Sequence, residues 1–472
     1  MAVLRSRGLQ TFHLDRPERL AEDLTKAFQA YEAGHGPVVL VATPSVLEST
    51  EPLDLDLRQS HTMASTGESA KLQESAADAI LQILNQEPVR LLWQCGSLTD
   101  GEADLIHDLA VRCGAALCDS VTRPGSVSKY RNGRVVPEYL GTLGLYATSA
   151  RVHEYIHSEG KPLSGDQLCM FFFKSRLAQS ATPFTERTIE KRMRVVQVTH
   201  EAQHLAPFAH YPICADLTSL LRYLSERLDV VPAVLEHRRR SLREVHPAPD
   251  TASTFPSLPM SPNFFFRHLN ELLEQLIVHD GYTYTGVFDA GRGAVSAIRN
   301  LARTGPAFSG IYGRALMGDA LMSVPAIALS ADRNVLAFVG DGAAALVPDI
   351  VPSLIQQIYL EQCPLRRNLS IFRLCNGGHS IIRTYREVRR GLPADMQTTL
   401  VTRIPVDTSE TYGSLLSIHQ HRLSTFDPAT LREQLLQPKT VNIYSVLLDH
   451  NNDGDSIGAH SMSSWQATRL NH

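Results

Sequence analysis

Two side chains that carry oxygen ligands, Asp341 and Asn376, each follow an apolar run of the sequence. The first run covers residues 335–339, the second contains Leu369, Ile371, Phe372 and Leu374, and a glycine-containing turn begins after each of them. Mainly apolar runs of this length are typical of strands buried on both faces of a parallel sheet. Carboxylate, amide and backbone oxygens are ligands that suit Mg²⁺, which completes its shell with phosphate oxygens and water. The pattern therefore predicts a site for a metal-bound diphosphate.

A helix between the two strands would make this segment a β-α-β unit. Apolar residues recur there at four-residue spacing, as expected for one buried helix face: Leu346, Ile350, Leu354 and Ile358. Because such crossovers are right-handed, both strands should end at the same edge of a parallel sheet, where open α/β folds bind ligands. Asp341 and Asn376 are thus expected to face one pocket. The Gly-Asp-Gly tripeptide alone is equally consistent with an ordinary turn between a strand and a helix. The choice between a turn and a ligand site therefore depends on the rest of the sequence.

Size and composition narrow the class of protein. The chain has 472 residues, 43% of them hydrophobic, which predicts two to four domains with sizeable cores. Its formal charge of −4 favours neither nucleic acid nor an anionic membrane as a partner. The sequence has no long apolar run and an N-terminus rich in charges, so we predict a cytoplasmic protein. Its seven cysteines form no C-x-x-C pair, which argues against a disulfide framework or a zinc site.

The stretch from Gly340 to Gly378 resembles the cofactor signature of thiamine diphosphate (ThDP) enzymes of the acetolactate synthase and pyruvate decarboxylase family. The resemblance implies that the side chains of Asp341 and Asn376 and the carbonyl of Gly378 bind Mg²⁺. Two departures from the family pattern are present. Cys375 stands where the family has the first of two asparagines, and the interval between the two ligand side chains is longer than usual, through an insertion around residues 363–367. Neither departure removes a metal ligand.

Further cofactor contacts follow from the same resemblance. Glycine-containing turns end three successive strands in the order that the family uses, and small residues at helix N-termini let backbone N–H groups approach a phosphate. Met317 matches the apolar wedge beneath the cofactor, with Leu316 as the alternative, and Ala315 matches the residue whose carbonyl contacts the aminopyrimidine. The residues expected to contact the cofactor are Asp289, Gly291, Gly313, Ala315, Met317, Gly340, Gly342, Ala343 and Gly378.

His379 is the candidate catalytic residue. It follows the second metal-ligand segment, where the family's chain turns over the thiazolium, and a histidine can act as general acid or base near neutral pH. A solvent-facing loop histidine is the open alternative. Arg383 and the pair Arg389-Arg390 could bind a substrate carboxylate, although most arginines of one helical stretch must be solvated.

The N-terminal residues 1–60 resemble the last helix and strand of the family's pyrimidine-binding domain. A helix predicted over residues 17–34 leads into the strand 38–42, which a proline closes. The resemblance implies that most of this domain is missing, including the glutamate that activates the aminopyrimidine. We therefore expect a separate small subunit to supply that domain and its catalytic Glu, in a hetero-oligomer such as a heterotetramer. A truncated or degenerate, non-catalytic relative is the alternative.

Alternating strand and helix patterns in the remaining chain predict two domains of the α/β class with doubly wound parallel sheets. The first is a middle domain over residues 75–235, and the second is a ThDP diphosphate- and Mg²⁺-binding domain over residues 262–460. Residues 138–144 resemble a glycine-rich loop with which some relatives bind FAD or a nucleotide, and we assign this loop a structural role. The arginine run 237–240 is interpreted as a solvated helix end rather than a nucleic-acid patch.

The resemblance implies the diphosphate-binding subunit of a heteromeric ThDP-dependent enzyme. We predict that it decarboxylates a 2-keto acid such as pyruvate and transfers the acyl-carbanion unit to an acceptor, as acetolactate synthase does in forming a C–C bond. Simple 2-keto acid decarboxylation is one alternative, and a catalytically silent regulatory partner is another.

Overall fold

Two units make up the chain, residues 1–71 and residues 72–472. The computed structural model of the protein describes the following residues: 10–32, 38–50, 74–131, 133–145, 147–177, 181–247, 254–311, 316–347, 349–360, 364–383, 399–400 and 404–449.

The N-terminal unit is a small β-α-β element. Strand β1 (Gln10–Leu14) pairs in parallel with strand β2 (Val38–Ala42), and helix α1 (Leu20–Glu32) connects them. A short helix, α2 (Pro44–Leu47), follows, and Thr43 N–H ties the end of β2 to the carbonyl of Leu14 at 3.0 Å. The helix and the second strand were predicted from the sequence, whereas β1 was not.

A six-stranded sheet organises the first part of the second unit, and every described pair in it is parallel. Its strands, in spatial order, are β12 (Tyr211–Cys214), β11 (Arg194–Thr199), β10 (Leu168–Phe173), β3 (Arg90–Cys95), β4 (Ala116–Ser120) and β7 (Tyr139–Leu143). Strand β7 corrects one prediction, because residues 138–144 form mostly an edge strand and not a loop. Whether this segment binds FAD or a nucleotide is not tested by the structure.

Helices cover both faces of this sheet, as a parallel sheet requires. They are α3 (Glu74–Gln86), α4 (Asp100–Cys113), α5 (Ala150–Ile156), α6 (Glu186–Arg192), α7 (Leu217–Arg227) and α8 (Pro232–Arg243). Two short hairpins complete this part: β5 (Tyr130–Arg131) with β6 (Arg134–Val135), and β8 (His157–Ser158) with β9 (Lys161–Pro162).

Arg238 corrects one part of the sequence-based interpretation of the arginine run in α8, whereas Arg239, Arg240 and Arg243 are exposed, as expected for a solvated helix end. Arg238 is completely buried, and its guanidinium donates five hydrogen bonds of 2.7–3.0 Å to backbone carbonyls. Those carbonyls belong to Ile83, Leu84, Glu87, Val89 and Cys113. All five N–H donors of the side chain are therefore used in holding α8 to the carboxyl-terminal ends of α3 and α4 and to the segment just before β3.

A seven-stranded sheet organises the second part of the unit. Its strands, in spatial order, are β14 (Phe308–Ser309), β13 (Tyr284–Phe288), β15 (Asn334–Gly340), β16 (Leu369–Cys375), β19 (Thr440–Leu447), β18 (Leu416–Leu423) and β17 (Thr408–Tyr412). Every pair is parallel except β17 with β18. The last predicted strand, β19, therefore lies inside the sheet, and the sequence analysis missed the two strands beyond it.

The helices of this part include one break that the sequence did not predict. They are α9 (Pro262–Asp280), α10 (Arg292–Asn300), α11 (Asp319–Ser330), α12 (Asp341–Ala344), α13 (Ile350–Leu360) and α14 (Pro428–Leu436). The helix predicted to run on from Gly-Asp-Gly is a single turn, α12, followed by the separate helix α13. Leu346, assigned to the buried face, lies between them and is 62% exposed.

Stacked rings fix the register of the central strands. Neighbouring strands place five rings at matching register, with centroids 4.8–5.6 Å apart along the row: Phe288, Phe338, Phe372, Tyr444 and His421. Cross-strand aromatic pairs of this kind stabilise a sheet and oppose slippage. The row therefore fixes the register between β15 and β16, and with it the relative positions of Asp341 and Asn376, which follow these strands.

One buried ion pair joins the two sheets. The guanidinium of Arg303, which follows α10, donates to the carboxylate of Asp119 from β4, and both side chains are almost completely buried. The same guanidinium also donates to Thr142 Oγ1 and to the hydroxyl of Tyr139 on β7, each at 2.8 Å. Side-chain bonds thus connect the carboxyl end of the first sheet with a helix of the second.

The architecture confirms the predicted α/β class with doubly wound parallel sheets. Among the described residues, no helix has the length and apolarity to cross a membrane. The domain boundaries and the cytoplasmic location stay predictions.

Candidate functional site

The candidate site lies where β13, β15 and β16 end. From β13 the chain runs to β14 on one side, and β15 and β16 lie on the other, so the sheet changes direction between β13 and β15. Open α/β sheets bind ligands at such a point, outside the carboxyl ends of the strands. Asp341 and Asn376 line one pocket there, as predicted.

Asp341 is held rigidly at the end of β15. Its side chain is 4% exposed, Oδ1 accepts the N–H of Gly342 at 2.9 Å, and Oδ2 accepts the N–H of Gly377 at 2.8 Å. The second bond joins the two strand ends that carry the predicted metal ligands. An ionised carboxylate has about four acceptor sites, so these two backbone hydrogen bonds are compatible with binding of a cation.

The loop after β16 orients Asn376. Its Oδ1 accepts the N–H of Gly378 at 3.3 Å, and its Nδ2 donates to the hydroxyl of Ser380. A second segment clamps the loop, because the N–H of Leu400 donates to the carbonyl of Gly377 at 2.8 Å. The loop thus holds an amide oxygen beside the Asp341 carboxylate.

The donor set fits Mg²⁺ that is shared with a cofactor. Asp341, Asn376 and the carbonyl of Gly378 would supply a carboxylate, an amide and a peptide oxygen, all of them hard ligands. Among the described residues, no three His, Cys, Asp or Glu side chains group around a possible metal. A site with one carboxylate leaves coordination positions for phosphate oxygens and water, which is the arrangement Mg²⁺ favours.

Cys375 is a neutral, buried thiol beside this donor set. Burial and the Asp341 carboxylate together raise the pKa of its thiol to about 12. Its Sγ lies 3.5 Å from the carbonyl of Arg373. The thiol therefore occupies the position before Asn376 without adding a charge next to the predicted metal ligands.

Asp289, a predicted cofactor contact, is not among the pocket-lining residues described. Its carboxylate is 1% exposed and accepts three backbone N–H groups at 2.7–2.9 Å, those of Ala290, Gly318 and Leu321. Burial raises the pKa of this carboxyl group, and the three hydrogen bonds oppose that change. Asp289 therefore caps the start of α11 and positions the loop that carries Met317.

The other described residues for which a cofactor contact was predicted all line the pocket: Gly291, Met317, Gly340, Gly342, Ala343 and Gly378. Gly291 has φ 142° at the cap of α10, a backbone conformation that other residues rarely adopt. Met317 is 40% exposed and Leu316 57% exposed, so either could contact a cofactor, but only Met317 is among the pocket-lining residues described. The predicted contacts Gly313 and Ala315 lie outside the described residues, as do Arg389 and Arg390.

His379 lines the pocket directly against Gly342. A Cβ atom added to Gly342 would lie 2.9 Å from His379 Nδ1 and 3.0 Å from Cε1. The imidazole therefore packs on the backbone of the Gly-Asp-Gly turn. Arg383, one turn later, is not among the lining residues described.

Replacing Gly342 with alanine is expected to lower the free energy of unfolding by about 1–3 kcal/mol, because the new methyl group overlaps the His379 ring. Alanine is the better helix former, so a loss must come from this contact. Denaturant unfolding of Gly342→Ala alone and in a His379→Ala background measures it. The cost should disappear when the ring is absent, and an equal cost in both backgrounds would contradict the packing described.

The sequence analysis missed an apolar wall and one cation of the pocket. The wall consists of Pro262, Leu374, Ile381, Ile382 and Leu448, and the cation is Arg292. Ile381 and Ile382 closely follow the candidate catalytic histidine, and Arg292 directly follows the predicted glycine turn. Pro262 and Leu448 come from distant parts of the chain, where no local pattern indicates a site.

Comparisons with known proteins agree with the division into two sheets. The family model described as the biosynthesis protein PigD third domain matches residues 76–245, and that of the PigD C-terminal domain matches residues 253–450. Thiamine diphosphate dependent-3-acetyloctanal synthase PigD of Serratia marcescens is 40% identical over 458 residues, covering 96% of this chain and 50% of that protein. The protein of the same name from Serratia sp. (strain ATCC 39006) is 38% identical over 468 residues, covering 98% of this chain and 54% of that relative. The chain thus spans about half the length of the curated relatives it matches.

Proposed function

The chain belongs to the PigD family of thiamine diphosphate-dependent enzymes, and from this premise we propose that it forms the diphosphate- and Mg²⁺-binding part of a C–C bond-forming enzyme. The reaction joins an acyl unit from a 2-keto acid such as pyruvate to an aldehyde acceptor. The observation that carries the proposal is the convergence of Asp341, Asn376, Met317 and His379 on one pocket at the switch point of a parallel sheet.

The chain's own residues would divide the work of binding and orientation. Asp341, Asn376 and the Gly378 carbonyl hold Mg²⁺, and with it the diphosphate, while Met317 supports the rings of the cofactor. When bound, ThDP supplies the carbanion chemistry that splits the 2-keto acid. His379 lies within the pocket and is suited to donate or accept the proton at the substrate oxygen.

The apolar wall favours an acceptor with a hydrocarbon chain. Pro262, Ile381, Ile382 and Leu448 offer that chain a surface to bury, and burial of each CH₂ group contributes about 0.8 kcal/mol. The name of the relatives denotes an acetyl group on carbon 3 of an eight-carbon aldehyde. Such a product results when an acyl carbanion adds to carbon 3 of a 2-enal. We therefore take pyruvate and 2-octenal as the first donor and acceptor to test.

Calorimetric titration with ThDP and Mg²⁺, followed by turnover of pyruvate with and without 2-octenal, tests the proposal. We expect Mg²⁺-dependent cofactor binding that EDTA abolishes and added Mg²⁺ restores, and a new C–C product by mass spectrometry. Release of CO₂ without a coupled product would identify a simple decarboxylase. Failure to bind ThDP would favour the catalytically silent partner.

We further propose that a separate small subunit completes the N-terminal unit and supplies the pyrimidine-binding domain with its catalytic Glu, in a hetero-oligomer. Strand β2 supports this, because all five of its residues are apolar and Leu40 is nevertheless 46% exposed. Parallel strands of this composition normally have both faces covered. Tyr31 and Leu47 add exposed apolar surface, at 66% and 74%.

The subunit proposal is tested with the turnover assay. The chain is assayed alone and mixed with separately produced polypeptide corresponding to the other half of the curated relatives. Product formed by the mixture but not by the chain alone would support the proposal that a second polypeptide supplies part of the active site. Product from the lone chain would contradict it.

A further inference from the structure

Arg292 is the one permanently charged basic side chain among the described residues lining the pocket. It is the first residue of α10, directly after Gly291, at the carboxyl end of β13. Strand β13 pairs with β15, which carries Asp341 at its end, and neighbouring strands lie about 4.8 Å apart. A long arginine side chain at this position therefore lies within reach of a group bound by Asp341.

The charges of the site leave a diphosphate incompletely neutralised. A diphosphate ester carries about three negative charges near neutral pH. Mg²⁺ offsets two of them, and the Asp341 carboxylate adds one back. The site thus holds roughly two excess negative charges, which a partly desolvated pocket penalises unless a cation lies close by.

The helix that was expected to compensate this charge is too short to do so. The sequence predicted a long helix after Gly-Asp-Gly, whose N-terminus would favour an anion. The structure has the single turn Asp341–Ala344 instead. Because the helix dipole is the sum of aligned peptide dipoles, one turn contributes little.

We propose that Arg292 binds the diphosphate of the cofactor as its second counter-cation, beside Mg²⁺. This inference rests on the proposed function and adds a residue to the same site. A guanidinium suits the task, because its planar fork of N–H groups can bind two phosphate oxygens at once. The N-terminus of α10, with nine residues, adds backbone dipoles on the same side.

The test compares cofactor binding by the unmodified chain, Arg292→Gln and Arg292→Lys, using calorimetry with three probes. The probes are ThDP with Mg²⁺, inorganic pyrophosphate with Mg²⁺, and thiamine, which lacks the diphosphate. We expect Arg292→Gln to bind ThDP and pyrophosphate about 10- to 100-fold more weakly, with thiamine binding unchanged. Arg292→Lys should be intermediate, since it keeps the charge and loses the fork.

Arg366→Gln is the matched control, because Arg366 is 72% exposed beside Asp332 and its loss changes the net charge equally. It should bind all three probes like the unmodified chain. Thermal melts show whether each variant is folded. If Arg292→Gln does not fold, the comparison of Arg292→Lys with the unmodified chain tests the proposal.

Three outcomes would overturn the proposal. If the Arg292 variants bind ThDP and pyrophosphate as tightly as the unmodified chain does, Arg292 does not contact the diphosphate, and the proposed function stays intact. A rise in KM for pyruvate with unchanged pyrophosphate affinity would assign Arg292 to the donor carboxylate. Absence of ThDP binding by the unmodified chain would reject the proposed function as well.

Discussion

Replacing Asp341 with asparagine is expected to abolish Mg²⁺-dependent binding of ThDP, with an affinity loss of about 100-fold or more. The carboxylate is the one negatively charged ligand among the predicted metal-binding groups. An amide in its place removes that charge and turns an N–H donor towards either Gly342 or Gly377, both of which donate to the side chain. A charged hydrogen-bonding group removed from a buried site typically costs more than a neutral one.

Calorimetry with ThDP at several Mg²⁺ concentrations measures the effect. Asp332→Asn is a suitable control, because the Asp332 side chain is 88% exposed and is not among the pocket-lining residues described. Asp341→Glu separates charge from geometry, since it keeps the carboxylate and shifts it by one methylene. Tight Mg²⁺-dependent binding by Asp341→Asn would show that the metal ligands lie elsewhere.

Replacing Arg303 with methionine is expected to lower the free energy of unfolding by about 3–5 kcal/mol, because the change leaves a buried carboxylate without its cation. The Asp119 carboxylate is fully buried and accepts from Gly125 N–H at 2.6 Å and Thr142 Oγ1 at 2.5 Å as well. Although burial alone lowers the pKa of the Arg303 guanidinium, the Asp119 carboxylate raises it above its ordinary value.

Urea unfolding of Arg303→Met, Asp119→Asn and the double variant apportions this cost. The double variant should be less destabilised than the sum of the two single variants, because the unpaired charge is then absent. Arg432→Met is the matched surface control. Arg432 pairs with Asp280 at 2.7 Å with 38% and 26% of the side chains exposed, and such pairs contribute about 1 kcal/mol or less. A comparably small loss in Arg303→Met would contradict the buried-pair interpretation.

This ion pair also bears on the site. Arg303 follows α10, whose first residue is Arg292, so a loosened pair should disturb the pocket as well as the junction of the sheets. We therefore expect the Arg303 variant to bind ThDP more weakly even under conditions where it is folded.

Local sequence determined the strands that carry the site. The runs ending at Gly340 and Cys375 are mostly apolar, with Asn334, Ser370 and Arg373 as exceptions, and a turn follows each run. Their strand character therefore depends on residues close together in the sequence. The right-handed crossover rule then placed Asp341 and Asn376 at one sheet edge. The same local signals indicated the helices over much of α4 and α9 and the strand β13.

Tertiary structure decided which way individual side chains point and which strands pair. Asp289 ends its strand as Asp341 does, but it turns inward because the amide groups of the α11 start need an acceptor. Arg238 lies in a run of arginines that are otherwise exposed, and only the fold brings five backbone carbonyls around it. The break after α12 and the strands beyond β19 likewise depend on distant partners. A local pattern records how often apolar residues recur, whereas hydrogen-bond partners far along the chain leave no periodic trace in it.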